Sequence, residues 1–443
     1  MGQDQRFGII EMMVIVAAAG FVVLGTYARP LRGAGRLGDT ADSRLATVLA
    51  VADHGTWYID RPIDGPPNPF EQRTIDKVMI EAGGKPRILS SKPPMLPLLM
   101  TAEYAALRGI FGWRLVDEAQ AIDEDGVESI VRFMSITLIG LAYLVTLIYF
   151  ARTLRFVVDD PLVRLVCLFA LAFCTQLWGY STNINNHVPA AAMVMVSLYY
   201  GLGLSLGKLD PSAWRFALFG LAGGMVPALD MPAGIFVAAA GALLFRRFPM
   251  PRLFWAAIGA AVPLAVHFAI NISITDAMLP VQTRGDLYLY EASYWRVPLG
   301  VDALNEPKGA YLWHLTFGRF GLFSLYPITV LGVVAAAWAV RRRDLPHRTL
   351  LLGGGASFAI LLVYYAYSTN NYGGQAFGFR WFIVAMPVLL LMAGPYLESF
   401  RRRWAWLIVA LLMSVSFYSA WQCTTTPWAK NVEWTTEFMG KTY

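Results

Sequence analysis

GDTADSRLATVLAVADHGTWYID (residues 38–60) and ILSSKPPMLPLL (88–99) are the stretches on which the reading of this chain turns. Both lie in a polar, Gly/Pro-rich segment, residues 28–127, between a first apolar run and a strongly apolar remainder. Leu45, Val48, Leu49, Ala52 and Trp57 recur at helical spacing, with Asp42 and Ser43 ahead of them as candidate caps. A short amphipathic helix lying along a membrane interface is therefore expected. Residues 95–111 form a second candidate, too short for a comfortable span and carrying Glu103 and Arg108. So much polar sequence in one early loop of an apolar protein marks a place for binding or chemistry.

Over the whole chain, 56% of residues are apolar and 15% charged, against roughly 25% charged in a soluble domain. Mean hydropathy is +0.49. The expected class is an all-α polytopic membrane protein. Runs near the ~20 residues that cross a bilayer fall at 8–27, 128–151, 163–180, 188–206, 253–272, 320–340, 348–367, 381–399 and 403–421. Residues 214–246 are too long for one span and are interrupted by Pro227, Asp230 and Pro232. They read as two short helices, about 215–228 and 232–245, turning at Asp230. The total is about eleven spans in one membrane domain over residues 1–443. Residues 8–27 read as a retained span, since no small-residue cleavage site follows them.

Basic clusters at Arg152/Arg155/Arg164, Lys208/Arg215, Arg246/Arg247/Arg252, Arg341/Arg342/Arg343/Arg348 and Arg401/Arg402/Arg403 occupy alternate loops. The positive-inside rule then puts the N-terminus in the cytoplasm. Loop 28–127, a second long loop at 273–319 and a short tail at 422–443 lie outside. Arg29, Arg32 and Arg36 oppose this parity, but five loops outweigh one. The same parity gathers Asp39, Asp42, Lys92, STNINNH (181–187), Asp230 and STNNYGGQAFGFR (368–380) on the outer face. The +6 charge resides in short loops and does not imply nucleic acid. Cys167, Cys174 and Cys423 have neither metal nor disulfide spacing and read as small buried hydrophobes.

Several of these residues suit particular chemistry. Asp39 and Asp42 are spaced for general-base work on a hydroxyl or amine or for holding a divalent cation; the plain alternative is a helix cap. Lys92 precedes two prolines that stiffen the backbone, and its point charge suits a phosphate. Asn185, Asn186 and His187 open a span at its outer end, where free amides attract anions. Asp230 sits at a helix break, and a charge near the membrane faces a cavity or a partner. Arg380 follows the glycine-rich NYGGQAFG, which contains Tyr372, and can clamp a phosphate bidentately. A structural ion pair is the alternative for Asp230 and Arg380.

The order of these features resembles the GT-C superfamily of integral membrane glycosyltransferases. It is most similar to bacterial relatives of protein O-mannosyltransferases and of the lipid A aminoarabinose transferase. The matching residues are Asp42, Arg44, Ala46, Gly55, Trp57, Lys92, Pro93 and Pro94, joined by FGRFGLFSLYP (317–327) and the stretch carrying Tyr372 and Arg380. The resemblance implies a GT-C-type bundle in a bacterial inner membrane. It also implies transfer of a sugar from a polyprenyl-phosphate donor to a lipid, glycan or protein acceptor at an outward-facing site. Asp42 would be the catalytic carboxylate and Lys92 a phosphate ligand. Asp39, Arg44, Asn186, His187, Asp230, Tyr372 and Arg380 would bind substrate.

Three departures stand out. Relatives commonly place the acid one residue further from the arginine than Asp42 is from Arg44, which leaves Asp39 as the alternative. Ser91 stands where Glu often precedes the K-P-P lysine. Asn186-His187 stands where some relatives have an acid, which leaves open any role for Mg or Mn. A lipid-linked sugar flippase or other transporter is the competing class, since broken helices and intramembrane charges fit it too. A non-catalytic scaffold is a third.

Overall fold

The computed structural model describes residues 8–32, 37–60, 65–291, 293, 296, 306–369, 371–374 and 376–428. Arg36, part of the 273–319 loop and the tail beyond 428 lie outside the described residues; the described part of that loop includes the short helix α10 (Lys308–Thr316). All eleven expected spans are helical: α1 (Ile9–Ala28), α4 (Glu124–Leu154), α5 (Pro161–Phe173), α6 (His187–Ser205), α7 (Ala213–Leu229), α8 (Gly234–Arg247), α9 (Met250–Thr275), α11 (Pro327–Arg341), α12 (Arg348–Ser368), α13 (Arg380–Glu398) and α14 (Arg403–Thr425). Among the described residues, seven of these are long and apolar enough to cross a membrane. The expected pair around Asp230 is α7 and α8, joined by a single 3-10 turn over Met231–Ala233. The segment read as 163–180 breaks after Phe173; Gln176–Gly179 is a separate turn.

The membrane body is arranged around α6 and α13, which are buried on nearly all sides, while only a minor part of α9 is. Their sequences explain this. Both are apolar all round, as a helix surrounded by other helices must be. Small residues set the closest approaches. A side chain on Gly220 of α7 would begin 1.9 Å from the Ala256 carbonyl of α9, and one on Gly259 of α9 would begin 2.1 Å from the Ala217 carbonyl. Backbones approach this closely only where glycine stands. One apolar core runs from Val14 to Cys423.

The basic loops do gather at one end. Phe156, Lys208, Leu345 and Glu398 line one cavity there, and the Glu398 carboxylate accepts the backbone N–H groups of Asp159 and Asp160 at 2.8 and 2.7 Å. Arg32, one of the residues opposing the parity, is paired with Asp125 and Glu128 at 2.6 and 2.5 Å.

At the other end, loop 28–127 folds into α2 (Asp39–His54), a hairpin of β1 (Lys77–Ala82) and β2 (Lys85–Ser90), and α3 (Met95–Phe111). Two expectations need correction here. Asp42 does not cap α2: the helix starts at Asp39 after Gly38, and no side chain caps it. Nor does α2 lie half-exposed on an interface, since Thr40 through Ala50 are all buried. Trp57 lies beyond the helix, which stops at a left-handed Gly55. Leu96, Met100, Tyr104 and Leu107 make the buried stripe of α3. The hairpin was not anticipated from the sequence. Gly83 and Gly84 both have positive φ, 60° and 71°, the geometry of a two-residue turn that matches strand twist.

Candidate active site

Thr40, in the first turn of α2, is the centre of a network drawn from four distant parts of the chain. Its hydroxyl donates to Asp76 Oδ2 at 2.9 Å and accepts from Arg380 Nη1 at 3.3 Å. Its carbonyl accepts from Arg44 Nη1 at 2.8 Å, one helical turn on. Lys92 Nζ lies 2.6 Å from Asp76 Oδ2. Arg44 Nη2 donates to Asn186 Oδ1 at 2.6 Å, and Asn186 Nδ2 donates to the Leu229 carbonyl at 2.9 Å. The neighbouring residues of that pair, His187 and Asp230, meet at 2.7 Å through Nδ1 and Oδ2.

Local folding explains why these groups arrive together. The hairpin register pairs Lys77 with Ser90, so the residues just outside the strands also face each other. The Ser91 N–H donates to the Asp76 carbonyl at 3.1 Å, and the next residue brings its ammonium to the Asp76 carboxylate. Ser43 docks the hairpin on α2, donating to the Asp76 carbonyl at 2.6 Å and lying 2.7 Å from Ser90 Oγ. Pro93 and Pro94 then turn the chain into α3. Asn186-His187 and Arg380 stand at the starts of α6 and α13, the two most enclosed spans. The ends of the bundle's central helices thus supply half of the site.

The electrostatics are unusual for a buried place. Three cations, Arg44, Lys92 and Arg380, surround the Asp76 carboxylate, whose Oδ2 meets both Thr40 and Lys92. Burial raises the Asp76 carboxyl, but Lys92, Arg380 and Thr40 outweigh it and hold it below the ordinary range. Burial pushes Lys92 down to about 8, helped by Arg380 and Arg44 and opposed by Asp76. Arg44 falls to about 9 through burial and the charge of Arg380. Among the described residues, Nε of both Arg44 and Arg380 is buried without a hydrogen-bond partner. Buried donors are rarely left unmet. Such a cluster has spare capacity for an anion with several acceptor oxygens.

Asp39 shares these surroundings. Its Oδ1 accepts the Ile75 N–H at 3.1 Å, and its carboxyl is raised by burial and by Asp76 while Lys92 opposes the shift. Asp42 is more deeply buried, at 1% exposure, and burial raises it to about 7. Its charged neighbours are Arg73, Asp39 and Glu124, and its Oδ1 has no partner among the described residues. Among the described residues no hydrogen bond or ion pair links it to Lys92 or Arg380. Tyr372 is also outside the network: its hydroxyl donates to Glu306 and its ring stacks on Phe320 at 4.5 Å. Asp76 was missed in the sequence because only strand register places it opposite Lys92. The available signal was Gly83-Gly84 between two runs of β-forming residues.

A divalent cation does not fit these donors. Among the described residues no three His, Cys, Asp or Glu gather as a ligand set, and the carboxylate at the centre is already answered by Lys92. Beside Lys92 lies a small crevice of about 20 Å³, with Trp57, Leu89, Ile274 and Val281 as apolar lining and Thr47 and Asn271 as polar lining.

No model of a known protein family matches the chain, and no curated protein sequence matches it. Solved structures do. The Archaeoglobus fulgidus oligosaccharyltransferase, in a complex with zinc and sulfate, superposes with a TM-score of 0.51 at 14% identity over 95% of this chain. ArnT from Cupriavidus metallidurans, bound to undecaprenyl phosphate, gives 0.50 at 14% identity over 90% of it. The chain spans 54% and 62% of those two proteins' lengths. The likeness is one of fold.

Proposed function

We propose that this chain is a glycosyltransferase that takes its sugar from a polyprenyl-phosphate donor at an outward-facing site in a bacterial inner membrane. The observation that carries the reading is the convergence of Lys92, Arg44 and Arg380, with unmet N–H donors, beside a small crevice in a GT-C fold. The converging donors suit a phosphate, and the crevice beside Lys92 offers an attached apolar group a point of contact.

In this reading the three cations bind the carrier phosphate and stabilise its charge as it leaves. An acceptor hydroxyl or amine attacks the anomeric carbon, the bond to the phosphate oxygen breaks, and configuration inverts. Fixed positive groups aimed at the developing charge supply much of the acceleration. Of the two carboxylates on α2, Asp39 is the better placed to take the acceptor's proton, because it shares the field of Lys92 and Asp76. Asp42, the choice from sequence, faces Arg73 and Glu124. Asn186, His187 and Asp230 line the sugar or acceptor side. No step is routed through a metal, since the donors suit an anion.

The test is transfer of radiolabelled sugar from a panel of polyprenyl-phosphate sugars by the purified protein and its Asp39→Asn and Asp42→Asn variants. Transfer or slow donor hydrolysis lost in Asp39→Asn supports the reading. Loss in Asp42→Asn alone would move the base to Asp42. No turnover of any donor would count against a transferase.

The transporter reading has one observation on its side, a cavity of about 440 Å³ at the opposite end, where Asp159, Lys208, His347 and Glu398 meet apolar side chains. Movement of a lipid-linked sugar across proteoliposomes would favour it.

A further inference from the structure

The chain does not leave the site after its last span. Past α14 it turns back, and the Pro427 carbonyl accepts the Phe377 N–H at 2.9 Å and the Tyr180 hydroxyl at 2.6 Å. This stitches the tail to the glycine-rich stretch that carries Arg380. The next residue, Trp428, sets its ring 5.3 Å from the Arg380 guanidinium carbon. Tyr180 meets the same ring edge-on at 5.4 Å. On its other side the indole lies 3.7 Å from where a side chain on Gly38 would begin. Gly38 has φ +84° and opens α2. Trp428 is therefore wedged between the helix carrying Asp39 and Thr40 and the arginine that reaches Thr40.

Arg380 makes no ion pair among the described residues, whereas Lys92 is answered by Asp76. A carboxylate holds a cation and cancels its charge. An aromatic face attracts a cation through its quadrupole and leaves the net charge intact. We propose that Trp428 is a positioning residue: its ring fixes the Arg380 guanidinium for the donor phosphate without neutralising it. The inference rests on the phosphate-binding reading of the site. It gives the segment after the last span a part in donor recognition.

The experiment is equilibrium binding of undecaprenyl phosphate to the purified full-length protein in nanodiscs, with thermal midpoints measured alongside. The variants are Trp428→Leu, which keeps bulk without a π face, Trp428→Phe, which keeps the face, Arg380→Ala, and Arg380→Ala with Trp428→Leu. Trp428→Leu is expected to weaken binding roughly fivefold to tenfold, the scale of a partly desolvated cation–π contact. Trp428→Phe should stay within about threefold of the parent, because phenylalanine retains a weaker version of the same contact. In the Arg380→Ala background the leucine substitution should cost nothing further, the signature of two residues acting as a unit. Unchanged binding in Trp428→Leu, or losses that add in the double variant, would overturn the inference and leave the functional reading standing. Failure of the parent protein to bind would remove both.

Discussion

At the end of the bundle that carries Glu11 and Glu398, carboxylates meet arginines and backbone amides directly. Buried Arg155 meets buried Glu11, and Arg164 lies 3.7 Å from the same carboxylate. Glu398 caps two backbone amides. At the end that carries Lys92, three cations share Asp76, two guanidinium Nε atoms have no partner among the described residues, and one arginine is held by a ring. Both ends bury charge at a desolvation cost. At the second, three buried cations gather around a single carboxylate, and that surplus is what an anionic ligand would use. In the proposed reading, the first set of charges holds the fold and the second set binds the donor phosphate.

The sharpest break in this comparison should come from Asp39→Asn, with kcat falling roughly 100- to 10,000-fold, the range for a lost general base, and little change in melting temperature. Steady-state transfer kinetics beside a melting curve would check it. A loss of fold in place of activity would make Asp39 a structural charge like Glu11. The mirror experiment is Glu11→Gln. It removes the carboxylate charge that buried Arg155 meets, and loss of one partner of a buried pair costs about 3–5 kcal/mol. Thermal unfolding should register that loss while kcat of the folded fraction stays unchanged.

A smaller effect sharpens the comparison by pH. Lys92 loses its ammonium as pH rises through about 8, where an ordinary lysine remains charged. Affinity for undecaprenyl phosphate should therefore fall as pH passes 8. Asp76 favours the ammonium, so Asp76→Asn should move that fall to lower pH. A fall at the same pH in both proteins would detach Lys92 from the phosphate. The smallest effect expected is that of EDTA, which should leave transfer unchanged because the donors around Thr40 suit an anion. Loss on chelation, restored by Mg or Mn, would contradict that.

The spans were legible because membrane helices declare themselves in apolar length and in the charges of their loops. Asp230 marked a helix break, and the alternating arginines placed the site residues at one end. Lys92 stood out through the two prolines after it. Other features depend on partners that single residues do not announce. Asp42 has the composition of a cap, yet Gly38 is what precedes the helix, so both aspartates fall inside its first turn. Asp76 acquires its meaning from a pairing register that a double glycine sets. Trp428 has no local pattern at all; its place is fixed by Tyr180 and Phe377, 248 and 51 residues earlier in the chain.

The hairpin that brings Asp76 to Lys92 also sets an order in time. Its strands are neighbours in sequence and such units form in roughly 1–10 μs. Arg380 follows Lys92 by 288 residues (380 − 92), which at about 5–20 residues per second is roughly 15–60 s of synthesis. Through that interval the lysine already has its carboxylate, while the arginine and tryptophan do not yet exist. Asp76 is thus a chaperoning counter-ion, seating a buried ammonium long before the rest of its cluster is made.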